Sequence, residues 1–368
     1  HFWAASLVFS DSIIPSIEDL KNYDALNTPL PFIVFGLFQY LFQDGILLGR
    51  LFNLFLSLVM VLIIGWPDRG DKGRKLLCAI GLLLYPYFLP LSGYIYTDTI
   101  ASFTGLIGLI FYLNDRLILS CLAFILAIAS RQYMLAFPMA IVIYEFISAM
   151  GQLVTTRKFD ARVHRRWFMP FLAATSILGW FLLFQGLAPE VALGNRAPEI
   201  QHTIWTLQPG AASNFLAIVG FYLIIPELIL FGPGNNFGEL RRQKIKVFLI
   251  AGVLLFWFIV FPPFLGAEAS GQVVKIADFF KIPFLGYSIY YGLSLLTCLR
   301  FAQLNLMTLM IATNGLIMMK AFPGGDKYLF PLVVIFWYLK SVNVEDNLTL
   351  FTQKNKNKIN DEEFQEGF

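Results

Sequence analysis

Apolar runs near residues 46–66, 76–92, 99–113, 117–130, 133–149, 168–186, 213–232, 247–264, 280–298, 301–319 and 328–340 follow one another along the chain with short polar breaks between them. A helix rises about 1.5 Å per residue and needs roughly 20 apolar residues to cross a bilayer. Each run is long enough to span, or nearly so. A water-soluble fold could not cover so much apolar helix. The chain is 57% hydrophobic and 14% charged, against about 45–50% and about 25% in soluble domains. The expected fold is therefore all-α, a polytopic transmembrane helical protein of about 11–12 spans. The first span is expected to be truncated: His1 stands where a Met would open the chain, and the apolar stretch 1–9 is too short to cross.

Basic residues orient the helices. Arg69, Lys72, Arg74 and Lys75 form one cluster, Arg157, Lys158, Arg162, Arg165 and Arg166 a second, and Arg241, Arg242, Lys244 and Lys246 a third. The positive-inside rule places such loops in the cytoplasm. Parity then works throughout if the run from Pro29 to Gln43 lies in the interface or re-enters from the outer side, as its length of about 15 residues and its prolines allow. We expect a transmembrane domain over 1–340 and a disordered cytoplasmic tail over 341–368, whose Lys-Asn-Lys-Asn-Lys and Asp-Glu-Glu stretches lack core-forming residues. The net charge of +3 is no signal for nucleic acid, because the basic residues sit in short loops between spans. Cys78, Cys121 and Cys298 lie inside apolar runs without ligand spacing, so we expect packing residues and neither disulfide nor metal.

This topology gathers polar residues on the outer side, among them Asp11, Asp24, Tyr96, Asp98, Arg131, Gln132, Asn195, Arg196, His202, Asp326 and Lys327. With no soluble domain, any chemistry belongs at that face. Arg131-Gln132 interrupts an apolar stretch from Leu117 to Ile147. An ionisable residue near membrane depth is a functional candidate by default, and the planar guanidinium fork can hold two phosphate oxygens; the alternative is an arginine snorkelling to the interface. Asp98, beside Thr97 and Thr99, is either a helix cap or a site residue. Asp11 follows the first apolar stretch, where a carboxylate at the lipid–water boundary can take a proton from a hydroxyl. The loop 187–209 carries Asn195, Arg196 and His202, suited to sugar hydroxyls or simply solvated. Lys327 can contact phosphate, pair with Asp326 or anchor the interface.

Tyr23-Asp-Ala-Leu-Asn-Thr-Pro-Leu-Pro-Phe, Gly49-Arg-Leu-Phe-Asn-Leu, Tyr85-Pro-Tyr-Phe-Leu-Pro-Leu-Ser-Gly-Tyr-Ile-Tyr-Thr-Asp, Ser130-Arg-Gln-Tyr, Gly194-Asn-Arg and Gly325-Asp-Lys-Tyr-Leu-Phe-Pro follow one another along most of the chain. In this order they resemble the GT-C membrane glycosyltransferases, and most of all the dolichyl-phosphate-glucose alpha-1,2-glucosyltransferase family of N-glycan precursor assembly. The family's adjacent acidic pair is matched by Asp11 alone, since Ser12 follows it.

The resemblance implies a GT-C-like fold with an external interfacial helix after the first span, and a hexosyltransferase. It would move glucose or another hexose from a polyprenyl- or dolichyl-phosphate carrier to a glycan or lipid-linked acceptor on the non-cytoplasmic face. Asp11 would be the catalytic base, with Arg131, Arg196 and Lys327 on the donor phosphate. Asp24, Tyr96, Asp98, Gln132, Asn195 and His202 would bind substrate. No cofactor and no metal are expected, the lipid phosphate being the activating group. The expected location is a multi-pass position in the bacterial inner membrane, or in the endoplasmic reticulum of a eukaryote. The alternative from another class is a transporter or flippase of a lipid-linked or amphiphilic solute. The crowding of polar residues on one face, without an internal repeat, favours the enzyme.

Overall fold

The computed structural model describes residues 2–66, 71–156, 161–198, 201, 206–233, 243–264, 271–279, 281–320 and 325–344. His202 and the tail from 345 onward lie outside the described residues. Among the described residues the protein is all-helical, without strands. Four helical stretches are long and apolar enough to cross a membrane: Gly45–Gly65, Gln132–Gly151, His164–Phe184 and Gly210–Phe231. With shorter apolar helices between them, they mark a membrane protein.

The N-terminal part comprises α1 (Phe2–Leu7), α2 (Ile17–Lys21) and α3 (Leu30–Phe42). α2 begins with a reciprocal capping box, Ser16 accepting from the Asp19 amide and Asp19 accepting from the Ser16 amide. α3 carries Pro31 in its first turn, where a missing N–H costs nothing. It packs on α1 and on α4 (Gly45–Gly65), whose bounds nearly coincide with the apolar run 46–66. The run 76–92 is not one helix. It divides into α5 (Lys72–Leu83) and α6 (Phe88–Gly93) around Tyr85-Pro86-Tyr87. Proline donates no backbone hydrogen bond and disfavours helical backbone at the residue before it, so the helix stops there.

α7 (Thr97–Leu113) and α8 (Leu117–Ser130) pack against each other. Glycine explains the approach: a Cβ on Gly108 would stand 3.0 Å from the Phe124 ring, and Ser120 Oγ donates to Gly108 O at 2.8 Å. Small residues of this kind let helix backbones meet in a membrane. α9 (Ala136–Thr156) and α10 (Ala161–Phe184) complete that half, and α11 (Glu190–Gly194) follows. The second half holds α12 (Gly210–Phe231), α13 (Lys244–Val260), α14 (Gln272–Phe279), α15 (Pro283–Arg300), α16 (Leu306–Met318) and α17 (Phe330–Ser341).

α17 is apolar nearly all round, which suits a helix surrounded by others. Each of its residues from Phe330 to Ser341 is buried, and it touches α4, α5 and α7. It is the central post of the fold. Lys327 lies just before it and Lys340 near its other end, about 20 Å apart at 1.5 Å per residue. Each belongs to a cluster of ionised side chains.

Candidate functional site

The break expected at Arg131-Gln132 is present. α8 ends at Ser130, Arg131 takes extended backbone, and a 3-10 turn from Gln132 to Leu135 leads into α9. This turn aims Arg131 inward, where it is 4% exposed, so it does not snorkel. Its Nη2 donates to Asp98 Oδ2 at 2.5 Å, and its Nη1 donates to Asn27 Oδ1. Asp98 sits in the first turn of α7 and is fully buried, but no side-chain cap closes that helix. Its carboxylate serves the arginine instead, and its Oδ1 accepts from Tyr133 OH at 2.8 Å. The Arg131 guanidinium also lies 5.7 Å from the Tyr133 ring centre and 5.8 Å from that of Tyr328. Cation–π attraction of this kind gains strength where water is excluded.

Residues 23–28 close the cluster from the N-terminal side. Tyr23, fully buried among Phe9, Phe32 and Phe184, donates to Asn27 O at 2.6 Å and fixes the loop. Thr28 Oγ1 donates to Ile128 O at 2.8 Å, and Gln132 Nε2 to Leu26 O at 2.8 Å. Asp24 meets Arg196 Nη2 at 3.4 Å, a partly exposed pair and therefore a weak tie. From α4, Asn53 Nδ2 donates to the carbonyls of Tyr94 at 2.8 Å and Tyr96 at 3.0 Å. That anchors the strip leading into α7 and sets the Tyr96 ring.

Lys327 completes the group. Its ammonium lies 5.9 Å from the Tyr96 ring centre and 5.5 Å from that of Tyr328. It does not pair with Asp326. That buried acid accepts from Tyr222 OH at 2.6 Å and from the Gln272 amide at 2.6 Å, while Tyr85 OH donates to the Asp326 carbonyl. Gly271 is required beside it: φ is +144°, and an added Cβ would fall 2.1 Å from Asp326 Oδ1. Tyr222 lies in a π-helical turn, Gly220–Ile224, the kind of bulge that re-aims a side chain within a helix. Asp326 therefore ties α12, α14 and the start of α17 together and leaves the Lys327 charge unpaired by it. Burial holds the Lys327 ammonium below the usual lysine range, with Asp98 acting in the opposite sense.

The fold thus brings together Asp24, Tyr96, Asp98, Arg131, Gln132, Arg196 and Lys327 from widely separated segments. Asp11 is exposed in the loop before α2 and makes no hydrogen bond or ion pair among the described residues. Asn195 is exposed at the end of α11. Asn27, Asn53, Tyr133 and Tyr328 were not among the expected site residues. The available signal for Asn53 was an amide inside an otherwise apolar run; Tyr133 and Tyr328 directly follow Gln132 and Lys327, and Asn27 lies three positions after Asp24. Among the described residues no cluster of His, Cys, Asp or Glu could hold a metal ion.

Electrostatically the inner part of the site holds two buried carboxylates, Asp98 paired with Arg131 and Asp326 held by Tyr222 and the Gln272 amide, beside the cations Arg131 and Lys327. The pair Asp24–Arg196 is neutral. The Lys327 ammonium is left without an ion-pair partner among the described residues, a setting that can receive a singly charged anion. The class defined by fold and site is a helical membrane protein with a buried, aromatic-lined cationic cluster at one end of its helices. Comparison with protein-family models, with curated proteins and with solved structures returned no match.

Proposed function

We propose that the protein is an integral-membrane glycosyltransferase that moves a hexose from a polyprenyl- or dolichyl-phosphate carrier to an acceptor on the non-cytoplasmic face. The observation that carries this reading is the Lys327 ammonium, which has no ion-pair partner among the described residues and is set on the Tyr96 and Tyr328 rings beside the buried Asp98–Arg131 pair. A polyprenyl phosphate esterified to a sugar is a phosphodiester with a single negative charge, so one unpaired cation matches it.

Arg131 is already held by Asp98 and Asn27, and in this reading it supports the phosphate from behind while Lys327 makes the nearer contact. Arg196 contributes if its loose pair with Asp24 opens. The acceptor hydroxyl oxygen forms its bond to the anomeric carbon as the bond from that carbon to the phosphate oxygen breaks. Asp11, exposed and unengaged, takes the hydroxyl proton, and the departing polyprenyl phosphate leaves with two negative charges. Lys327 and Arg131 stabilise that growing charge, and such stabilisation is worth most where the groups are preorganised and water is excluded. Tyr96, Gln132, Asn195 and His202 remain the proposed sugar and acceptor contacts. The external position of α3 and a pass number of 11–12 belong to the same proposal.

Transfer of radiolabelled sugar from polyprenyl-phosphate-linked glucose or mannose, in membranes holding wild type, Asp11→Asn or Lys327→Ala at equal abundance, tests it. Transfer by wild type that collapses in both variants supports these roles. Robust transfer by both variants overturns them, and no transfer from any such donor moves the assignment to a transporter of a lipid-linked solute.

A further inference from the structure

Asp326 enters no step of the proposed transfer, yet the seat of Lys327 hangs on it. It opens the 3-10 turn Asp326–Leu329 that carries Lys327, and it is 1% exposed. Its Oδ2 accepts from Tyr222 OH and from the Gln272 amide, both at 2.6 Å, while its Oδ1 is buried without a hydrogen-bond partner among the described residues. The Tyr87 hydroxyl stands off at 3.5 Å. Tyr222 is therefore the close side-chain donor to this acid.

Tyr222 reaches it from a helix that is fastened on both sides. The half of α12 before it is pinned to α15: Ser294 Oγ donates to Ser213 O at 3.2 Å, Thr297 Oγ1 donates to Leu216 O at 2.9 Å, and a Cβ on Gly220 would fall 2.3 Å from Leu293 O. The half after it is pinned by Glu227, which accepts from the Arg300 fork at 2.8 Å and from Lys340 Nζ at 2.6 Å. The turn between these halves sets their register. In a regular α-helix Glu227, five positions beyond Tyr222, would lie about 140° round the axis. The π turn Gly220–Ile224 takes up an extra residue and narrows that angle, so one helix serves Asp326 with Tyr222 and the Arg300–Lys340 pair with Glu227. Pro226 keeps the turn wide. It has no N–H to give the Tyr222 carbonyl four residues back, and its ring crowds that oxygen. The neighbouring Ile225 amide bonds to Gly220 O, five residues back.

We infer that Tyr222, aimed by the π turn that Pro226 enforces, is a positioning residue of the transfer site: through Asp326 it holds the turn that sets Lys327 at the donor phosphate. This role rests on the proposed hexosyl transfer; the register itself does not.

Hydrogen–deuterium exchange of the full chain in detergent, for wild type, Tyr222→Phe and Pro226→Ala, reads the register without substrate. Tyr222→Phe removes one hydroxyl and keeps the ring, and alanine is at home inside a helix. Both variants should raise exchange at the start of α14, where the Gln272 amide sits on Asp326, and over residues 326–329, with α15 near Arg300 protected as in wild type. Transfer from polyprenyl-phosphate-linked sugar by the same preparations reads the site. A displacement of about 1 Å costs about 10²-fold in rate, and kcat of Tyr222→Phe should fall by about that factor. The alkaline limb of kcat/KM should also move to higher pH. Lys327 loosened from the Tyr96 and Tyr328 rings is less buried, while Asp98 and Arg131, the charged groups that act on it, stay in place. A general loss of stability would not move that limb. Exchange identical to wild type in both variants overturns the inference at its structural root. Raised exchange with unchanged kcat and an unmoved limb overturns the role of Tyr222 while the transfer reading stands. A wild type that transfers no sugar overturns that reading, and this role with it.

Discussion

The two ends of α17 carry clusters built from the same parts and finished differently. Each holds one buried carboxylate and two cations. Toward its far end, Glu227 receives both nitrogens of the Arg300 fork at 2.8 Å and Lys340 Nζ at 2.6 Å, while Arg74 Nε donates to the Lys340 carbonyl at 2.7 Å. Each charge of this buried group has an opposite partner within hydrogen-bond distance. Near the start of α17, Asp98 binds Arg131 and Tyr133, and Lys327 is left on aromatic rings. The first cluster is closed on itself and fastens α12, α15, α5 and α17. The second is fastened on one side and retains a cation. A chain that gathers three charges twice, and pairs all of them only once, separates a structural clamp from a site able to bind.

The largest effect should come from breaking the closed cluster. Glu227→Ala leaves Arg300 and Lys340 buried without their acid, and uncompensated charges of this kind cost about 3–5 kcal/mol. Thermal unfolding in detergent should show a large loss of stability, whereas Lys327→Ala should leave the unfolding midpoint nearly unchanged. Equal losses from the two substitutions would erase the distinction between clamp and site. Next in size is the effect of Lys327→Ala on transfer. Loss of one preorganised charge-stabilising group lowers kcat by about 10²–10³-fold, and single-turnover transfer at saturating donor measures it. A change in KM alone would make Lys327 a binding residue without a role in the chemical step.

What could be read from the sequence follows from how local each feature is. The apolar run 46–66 became α4 with little change, because hydropathy over 20 residues is a property of the segment itself. The interruption at Arg131-Gln132 was legible for the same reason, two polar side chains being conspicuous between apolar runs. The break at Tyr85-Pro86-Tyr87 was hidden inside a run that hydropathy alone counted as one span. Its cause is partly local, the proline, and partly distant, since the Tyr85 hydroxyl is drawn to the Asp326 carbonyl 241 residues on. Partnerships were the least legible part. Asp98 meets Arg131 across 33 positions, Asn27 meets the same arginine across 104, and Glu227 meets Lys340 across 113. No periodicity encodes such pairings. The helix packing that creates them could be approached only through residue type, which marked Asp98 and Arg131 as candidates separately without joining them.

Two smaller effects sharpen the contrast. In the open cluster Asp98 and Arg131 should behave as a unit. A double-mutant cycle of Asp98→Asn and Arg131→Gln, followed by unfolding, should give a coupling of about 1–3 kcal/mol, because residues in one hydrogen-bonded charge network are not additive. Strict additivity would mean that the pair is not formed in the membrane.

The smallest expected effect is on pH dependence. Lys327 precedes the span of α17, and burial lowers its pKa from the ordinary lysine value. Its charged form, the one the proposed donor phosphate requires, is therefore lost at a lower pH than that of an exposed lysine. Donor binding should be full on the acidic side of this pKa and weaken as pH rises through it, giving kcat/KM an alkaline limb below the usual lysine range. Lys327→Arg keeps the charge to higher pH, since arginine is effectively always protonated. The limb should move up or vanish in that variant, at some cost in rate because the fork is bulkier than an ammonium. An alkaline limb that stays in place in Lys327→Arg would assign the titration to another group and leave Lys327 an anchor on its two tyrosines.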